Sequence, residues 1–305
     1  MNTATRTALL FAMAGAALAV TALAADAPPA KSTPKAPTSA EILASAQPDD
    51  WRRLDPADTL YLDLASGRVI IELSRAYASQ HVAAIKTLAK AHYWDGLAIT
   101  RLQDNFVAQW GDPDNSKPLP KIAPMPPEFS RGAGKDLVFT ALPDRDGWSD
   151  QAGFTASMAA ARTGSDYWLA HCYGAVGVGR DNAPDSGTGN ELYVVIGQSP
   201  RQLDRNVAIV GKVWRGIELL ASLPRGTGDG LGMYEKPEQR VPIRSIRLAA
   251  EVPEAERTNL EVLRDDRPVF ARFVEARRNR SDDWYLHKAG HIDVCNVTIP
   301  VRDVR

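Results

Sequence analysis

The chain has 305 residues, 44% of them hydrophobic, and sets 36 basic side chains against 37 acidic ones for a net charge of -1. That length supports one large domain with additions, or two small domains. The near-zero charge, without runs of one sign, provides no cationic field for a phosphate backbone and argues against nucleic acid as a partner.

Residues 1–24 read as a secretory signal peptide. They carry one positive charge at Arg6, an apolar run from Ala8 to Val20 that is short for a membrane span, and small residues two apart in Ala22-Leu23-Ala24. Cleavage is expected after Ala24; an uncleaved anchor is the alternative. The mature chain is therefore expected in the periplasm, with no stable membrane insertion after cleavage. Residues 25–37, a Pro, Ala and Lys tract, read as a disordered tether. The segment 38–57 follows, with Thr38-Ser39 capping a short helix that ends by Pro48.

In TLYLDLASGRVIIELS two alternating runs flank Ser66-Gly67, the signature of a hairpin in which Tyr61, Leu62 and Leu64 face Val69, Ile71 and Leu73. Next, Val82, Ile85, Leu88 and Ala89 recur at helical spacing in an amphipathic helix that stops near Asp95-Gly96. The strand-like stretch ITRLQDNFVAQWGD comes after it. An insertion at about 115–150, rich in Pro, Gly and Asp, is expected to lie over one rim, with regular pattern returning at GAVGVG from Gly174. ELYVVIG and NVAIVGKV read as strands, RGIELLASL as a capped helix, and VPIRSIRLAAEV as the last strand of this unit. Residues 252–305 form a C-terminal extension and tail. There NLEVLRDDRPVFARFVEARRNR is helical in period, with Pro268 starting or kinking its second half, and HIDVCNVTIPVR alternates like an edge strand.

Cys172 and Cys295 could pair in an oxidising compartment or stay as two buried thiols, a choice that only geometry decides. Neither lies in a CxxC, and the five histidines are scattered, so no metal site is expected. A hydrolase is not expected either, because the chain has no GxSxG and no coherent Ser, His and Asp set. His81 and His171 neighbour no nucleophile motif and read as structural.

Several words of the sequence, in their order, resemble the cyclophilin-type peptidyl-prolyl isomerases. They are GRVIIELSRAYASQHVAAIKTLAKAHYWDGLAITRLQDNFVAQWGDPD, GAVGVGRDNAPDSGTGNELYVVIG and LDRNVAIVGKVWRGIELLASL, and with their flanking strands they cover residues 58–251. The resemblance implies a mainly β fold: a closed eight-stranded antiparallel barrel capped by two helices, here with N-terminal and C-terminal helical extensions, and an active site in a groove on the outside of the barrel. It places Arg101 at the family's catalytic arginine, Phe106 at the ring lining the proline pocket and Gln109 at the glutamine that binds substrate backbone. Val107 stands for the usual pocket methionine, Tyr193 for a pocket phenylalanine, and Leu203 matches a pocket leucine. Departures are Thr100 for the histidine before the arginine, Val207 for a pocket histidine and Gln202 for a tryptophan, which imply a pocket short of one wall and a weakened activity.

These residue types suit the chemistry. An X-Pro amide resists rotation because its C–N bond is partly double, with a barrier of about 18–20 kcal/mol. A guanidinium donating to the prolyl nitrogen favours the twisted form, while an apolar cup holds the ring. No cofactor is needed. If the strand is regular, alternation puts Arg101 on the face of Gln109, and the turn Gln103-Asp104-Asn105 brings Phe106 round. The glycines of GVGRDNAPDSGTGN lie between two strands, which suits a substrate-contacting loop offering Asn182 or Asn190 and not a phosphate loop. The expectation is a monomeric exported isomerase acting on proline-containing polypeptides and assisting their folding. The alternative is a proline-peptide-binding or chaperone-like module with little or no turnover.

Overall fold

The computed structural model describes residues 36–123, 125–228 and 230–304. The expected signal peptide and nearly all of the expected tether lie outside them. Thr38 caps α1 (Ser39–Ala44) reciprocally: the Glu41 amide donates to its hydroxyl, and its own amide donates to the Glu41 carboxylate at 2.7 Å. After β1 (Trp51–Arg53), the hairpin of β2 (Thr59–Leu64) and β3 (Gly67–Leu73) turns through Ala65-Ser66, one residue before the expected position. Its register pairs Leu62 with Val69 and Leu60 with Ile71 on the inner face. Tyr61, grouped with Leu62 and Leu64 opposite Val69, Ile71 and Leu73, instead pairs with Ile70 on the outer face, as period two requires.

Helix α2 (Ser79–Lys90) buries Val82, Ile85 and Leu88 over one end of the barrel. Ala78 gives it no side-chain cap. The Glu128 carboxylate, reaching in from the insertion, accepts instead from the Gln80 and His81 amides and meets His81 Nδ1, at 2.6–3.1 Å. Strands β4 (Ala98–Leu102) and β5 (Val107–Gly111) come next. Five inserted strands follow: β6 (Arg131–Gly132), β7 (Thr140–Ala141), β8 (Gln151–Thr155), β9 (Met158–Thr163) and β10 (Asp166–Leu169). The chain then returns with β11 (Ala175–Val178), β12 (Leu192–Val195), β13 (Ile209–Arg215), α3 (Ile217–Ala221) and β14 (Val241–Leu248). Eight strands close the barrel in the order β11-β12-β5-β4-β14-β2-β3-β13. The expected cap on α3 is missing, because its N-cap is Gly216, which has no side chain to donate or accept.

The insertion and the C-terminal extension are more strand-like than expected. The insertion runs to Leu169 and forms a five-stranded sheet of order β6-β10-β9-β8-β7. Its central strand is MAAART, and alanine is a poor strand former. The β8–β9 turn is Ala156-Ser157, with φ of 47° and 66°, where a two-residue hairpin usually shows Asn-Gly. Distant residues hold that turn. The Ser157 amide donates to Asp265 at 2.7 Å, its hydroxyl to the Leu263 carbonyl at 2.8 Å, and Arg52 donates to the Ala156 carbonyl at 2.6 Å. In the extension, β15 (Leu260–Leu263) replaces the first half of the expected helix and lies between β1 and β16 (Val301–Asp303). Pro268 starts α4 (Pro268–Arg278), in the first turn, where its missing N–H costs no bond.

These additions explain the unbroken apolar runs of the wall strands. One core fills the barrel, and a second packs outward-facing Tyr61, Ile70, Val107, Tyr193 and Val195 with Phe154 of β8 and Phe270 of α4. A strand buried on both faces loses its polar alternation. Cys172, just before β11, is bonded to Cys295 of the tail, with Cα atoms 4.9 Å apart, which settles the choice the sequence left open. The bond spans 123 residues of sequence, so it restricts the unfolded chain strongly. Replacing both cysteines by serine should lower unfolding stability by about 2–5 kcal/mol, read from denaturant midpoints with and without reductant; an unchanged midpoint would show that the extension docks without it.

Candidate active site

An arginine on β4 reaches the outside of the barrel only because the strand is irregular. Ile99 lies opposite Trp110, yet Arg101 lies opposite Gln109, so one extra residue, Thr100, interrupts the ladder. In a regular ladder Arg101 would face Ala108 and point into the core beside Ile99. The bulge turns it onto the face of Gln109. The shared face was expected from a regular strand; the structure reaches it by breaking one.

The guanidinium is held on all three nitrogens. Nε donates to the Leu231 carbonyl at 2.6 Å, one terminal nitrogen to Gln109 Oε1 at 3.0 Å, and the other to Gln103 Oε1. The Leu231 carbonyl comes from a loop laid along β4, in which the Leu102 amide donates to the Gly232 carbonyl at 2.7 Å and the Tyr234 amide to that of Thr100 at 3.0 Å. Only glycine fits at 232, where φ is 72° and a Cβ would sit 2.5 Å from Gln103 Cα. Gln109 in turn donates to Glu191, so its amide orientation is set from both ends. Burial lowers the pKa of the half-buried Arg101 from its ordinary value, and the Glu191 charge opposes that shift.

Beside this group opens a groove of about 820 Å³, which Arg101, Phe106, Val107, Gln109, Tyr193 and Leu203 all line. The Phe106 ring centre lies 5.6 Å from the guanidinium carbon, delivered by a turn in which Asn105 takes a φ of 51°. Val207 forms part of the floor, and Asn182 stands at the rim beside Arg180 and Asp181. Asn190 is a correction. It does not line the groove; its side chain accepts from Thr188 and meets Tyr93, and its carbonyl takes the Trp94 indole at 2.9 Å.

Tyr193 lies flat where Gly177 has no side chain, since a Cβ there would be 2.2 Å from the ring carbon Cζ. Its hydroxyl points down to His171 Nε2 at 2.9 Å, and burial, aided by the Asp204 charge, pushes its pKa above the ordinary value. His171 Nδ1 donates to the Asp204 carboxylate at 2.9 Å, so the ring bridges the carboxylate and the tyrosine hydroxyl. The other Asp204 oxygen accepts from Trp168 at 3.1 Å and from Arg201 at 2.6 Å, and Arg201 also grips Asp146 at 2.9 and 3.1 Å. Leu203 lies between Arg201 and Asp204 in sequence, so this buried network fixes the loop that carries it. Burial would raise the Asp204 pKa, but the His171 hydrogen bond and the Arg201 charge outweigh it and hold the carboxyl below its ordinary value of 3.8.

Sequence reasoning missed Glu191, Gln103 and this network. Glu191 was within reach, because it stands just before β12, two residues from Tyr193 and so on the same face by alternation. Asp146 and His171 are separated in sequence by β8 to β10, and His171 and Asp204 by β11 and β12, so no spacing joins them.

The family model for the cyclophilin type peptidyl-prolyl cis-trans isomerase/CLD matches residues 59–248. A probable peptidyl-prolyl cis-trans isomerase of Brucella suis biovar 1 is 25% identical over 185 residues, covering 61% of this chain and 81% of the relative. The peptidyl-prolyl cis-trans isomerase-like 4 of Mycosarcoma maydis is 26% identical over 191 residues, 62% of this chain and 32% of that one. The crystal structure of cyclophilin AquaCyp293 from Hirschia baltica is similar in fold, with a TM-score of 0.70 and 24% identity over 87% of this chain and 97% of that one. This likeness extends beyond the segment the family model matches.

The Asp204 network yields a test. Asp204→Asn should cost about 1.5–3 kcal/mol at neutral pH, because Arg201 keeps only Asp146 as its acid and His171 loses a charged acceptor. The native carboxyl binds its proton less readily than the unfolded one, so its contribution is complete above pH 3.8 and is lost as pH falls further. Urea midpoints of variant and wild type should therefore converge in acid; a gap that is independent of pH would refute the assignment.

Proposed function

The chain belongs to the cyclophilin-type peptidyl-prolyl cis-trans isomerases, and from that premise we propose that it isomerises X-Pro bonds of exported polypeptides by arginine-assisted rotation in the groove beside Arg101. The observation that carries the mechanism is the state of the guanidinium. It has five N–H donors, and three are engaged, one on each nitrogen. One hydrogen on each terminal nitrogen remains for a substrate.

With the proline ring on Phe106, Val107 and Leu203, an N–H directed at the prolyl nitrogen interacts weakly with the planar amide, whose lone pair is delocalised. It interacts strongly with the twisted amide, in which the lone pair returns to nitrogen. That difference is stabilisation of the transition state alone. The acceptors that hold Arg101 fix its direction in advance, so little reorganisation is needed at the moment of rotation.

Two features support the place of action in this reading. The apolar start with Ala22-Leu23-Ala24 supports export, and a disulfide between Cys172 and Cys295 suits an oxidising compartment such as the periplasm. Assistance to proteins folding there, with proline-containing polypeptides as substrates, is the role this combination supports. One observation favours the second reading, a proline-binding module with little turnover. Val207 and the exposed Gln202 leave the groove without aromatic or imidazole groups on that side.

Isomerisation of a proline tetrapeptide separates the two readings. Arg101→Ala should lower kcat/KM by about a hundredfold to a thousandfold, the cost of removing one such donor, with peptide affinity changing far less. Arg101→Lys should fail to rescue, because one ammonium cannot hold three acceptors and still present a donor. Turnover that is unchanged in both variants would remove the arginine from the mechanism.

A further inference from the structure

A second cleft, of about 460 Å³, lies where β13 and the Cys172–Gly174 turn meet the C-terminal segment and α4. Its walls include Trp214, Ile217, Ile299 and Val301, and two cations line it, Lys212 and Arg277. Lys212 stacks over the Trp214 ring, its ammonium 4.9 Å from the ring centre. Among the described residues it meets no carboxylate within ion-pair distance. Glu72 faces it across the ladder, but the Glu72 oxygens are held by Arg52 at 2.6 and 2.8 Å and by the Trp214 indole at 2.7 Å. Burial lowers the Lys212 pKa to about 8, with no charged group working the other way.

Arg277 is similarly short of anions. Its only hydrogen bond among the described residues runs from one terminal nitrogen to the Asn296 carbonyl at 3.3 Å, and its Nε is buried without an acceptor. Lys212 and Arg277 are both half-buried, and a cation partly withdrawn from water without a counter-charge carries a cost that an anion entering the cleft would offset. The volume falls in the range of small-molecule sites that combine an apolar lining with a few polar anchors.

We propose that this cleft binds a monocarboxylate bearing a short apolar chain, with the head group between Lys212 and Arg277 and the chain on Trp214, Ile217 and Ile299. Two cations without acids select the charge of the ligand, and the walls select its body. The site is separate from the groove beside Arg101, so occupancy does not compete with proline peptides.

Octanoate and octanol, titrated into the full chain by calorimetry, test this. Octanoate should bind and raise the melting temperature, octanol should bind at least about tenfold more weakly, and a proline tetrapeptide should not displace octanoate. Lys212→Met keeps the apolar stem and should weaken octanoate about tenfold while leaving isomerisation unchanged; Arg277→Gln should weaken it in the same direction, and a melt of each variant alone reports its folding. Equal binding of octanoate and octanol, octanoate affinity unaltered in both folded variants, displacement by the peptide, or no octanoate binding to the wild type would each overturn the proposal.

Discussion

One added residue decides what this barrel presents to the outside. Strand alternation gives β4 inner positions at Ile99 and Leu102, and these differ by three, an odd number that a regular strand does not allow on one face. The extra residue at Thr100 resolves the conflict and leaves Arg101 facing out. In a regular ladder the guanidinium would be an unpaired charge inside the barrel among Ile99, Ala108 and Trp110, so burial alone demands the irregularity. The loop around Gly232 then pairs with the bulged strand and supplies the Leu231 carbonyl that orients the charge.

Around that point the molecule is organised by what covers the barrel. Much of the outer wall is closed by the inserted sheet and the C-terminal extension, which share a core with Tyr61, Ile70 and Val195. The groove is a stretch of wall left open, and its floor rests on the additions. Tyr193 lines the groove with its ring, while its hydroxyl begins a buried chain through His171 and Asp204 to Arg201 and Asp146. The insertion supplies Asp146 and Trp168, and the loop before β13 supplies Arg201, Leu203 and Asp204. A segment that looks like decoration in the sequence thus positions one side of the pocket.

How far the sequence was legible follows from where each contact is made. The β2–β3 hairpin, α2 and the cap at Thr38 rest on neighbours within a few residues, and they were readable from local spacing. Arg101, Phe106 and Gln109 were readable because they fall within one unbroken stretch of the family resemblance, which the structure folds as a single hairpin. The inserted sheet was not, because its turn at Ala156-Ser157 is imposed by Asp265, Leu263 and Arg52, over a hundred residues away in each case. Helical period in NLEVLRDD lost to pairing with Trp51–Arg53 and Val301–Asp303, a tertiary choice that local pattern does not carry. Asn190 lies off the groove for a related reason: its side chain is held by Thr188 and Tyr93 and its carbonyl by Trp94, and position in a glycine-rich stretch does not say which neighbours a loop meets.

The central claim is that Arg101 acts on the prolyl nitrogen with donors its own fold leaves unspent. A crystal structure with a bound alanyl-prolyl peptide tests it most directly. The account requires the proline ring on Phe106, Val107 and Leu203, the Leu231 and Gln109 bonds intact, and a terminal N–H of Arg101 within about 3 Å of the prolyl nitrogen. A ring seated elsewhere, or a guanidinium that reaches the peptide only by abandoning those acceptors, would contradict it.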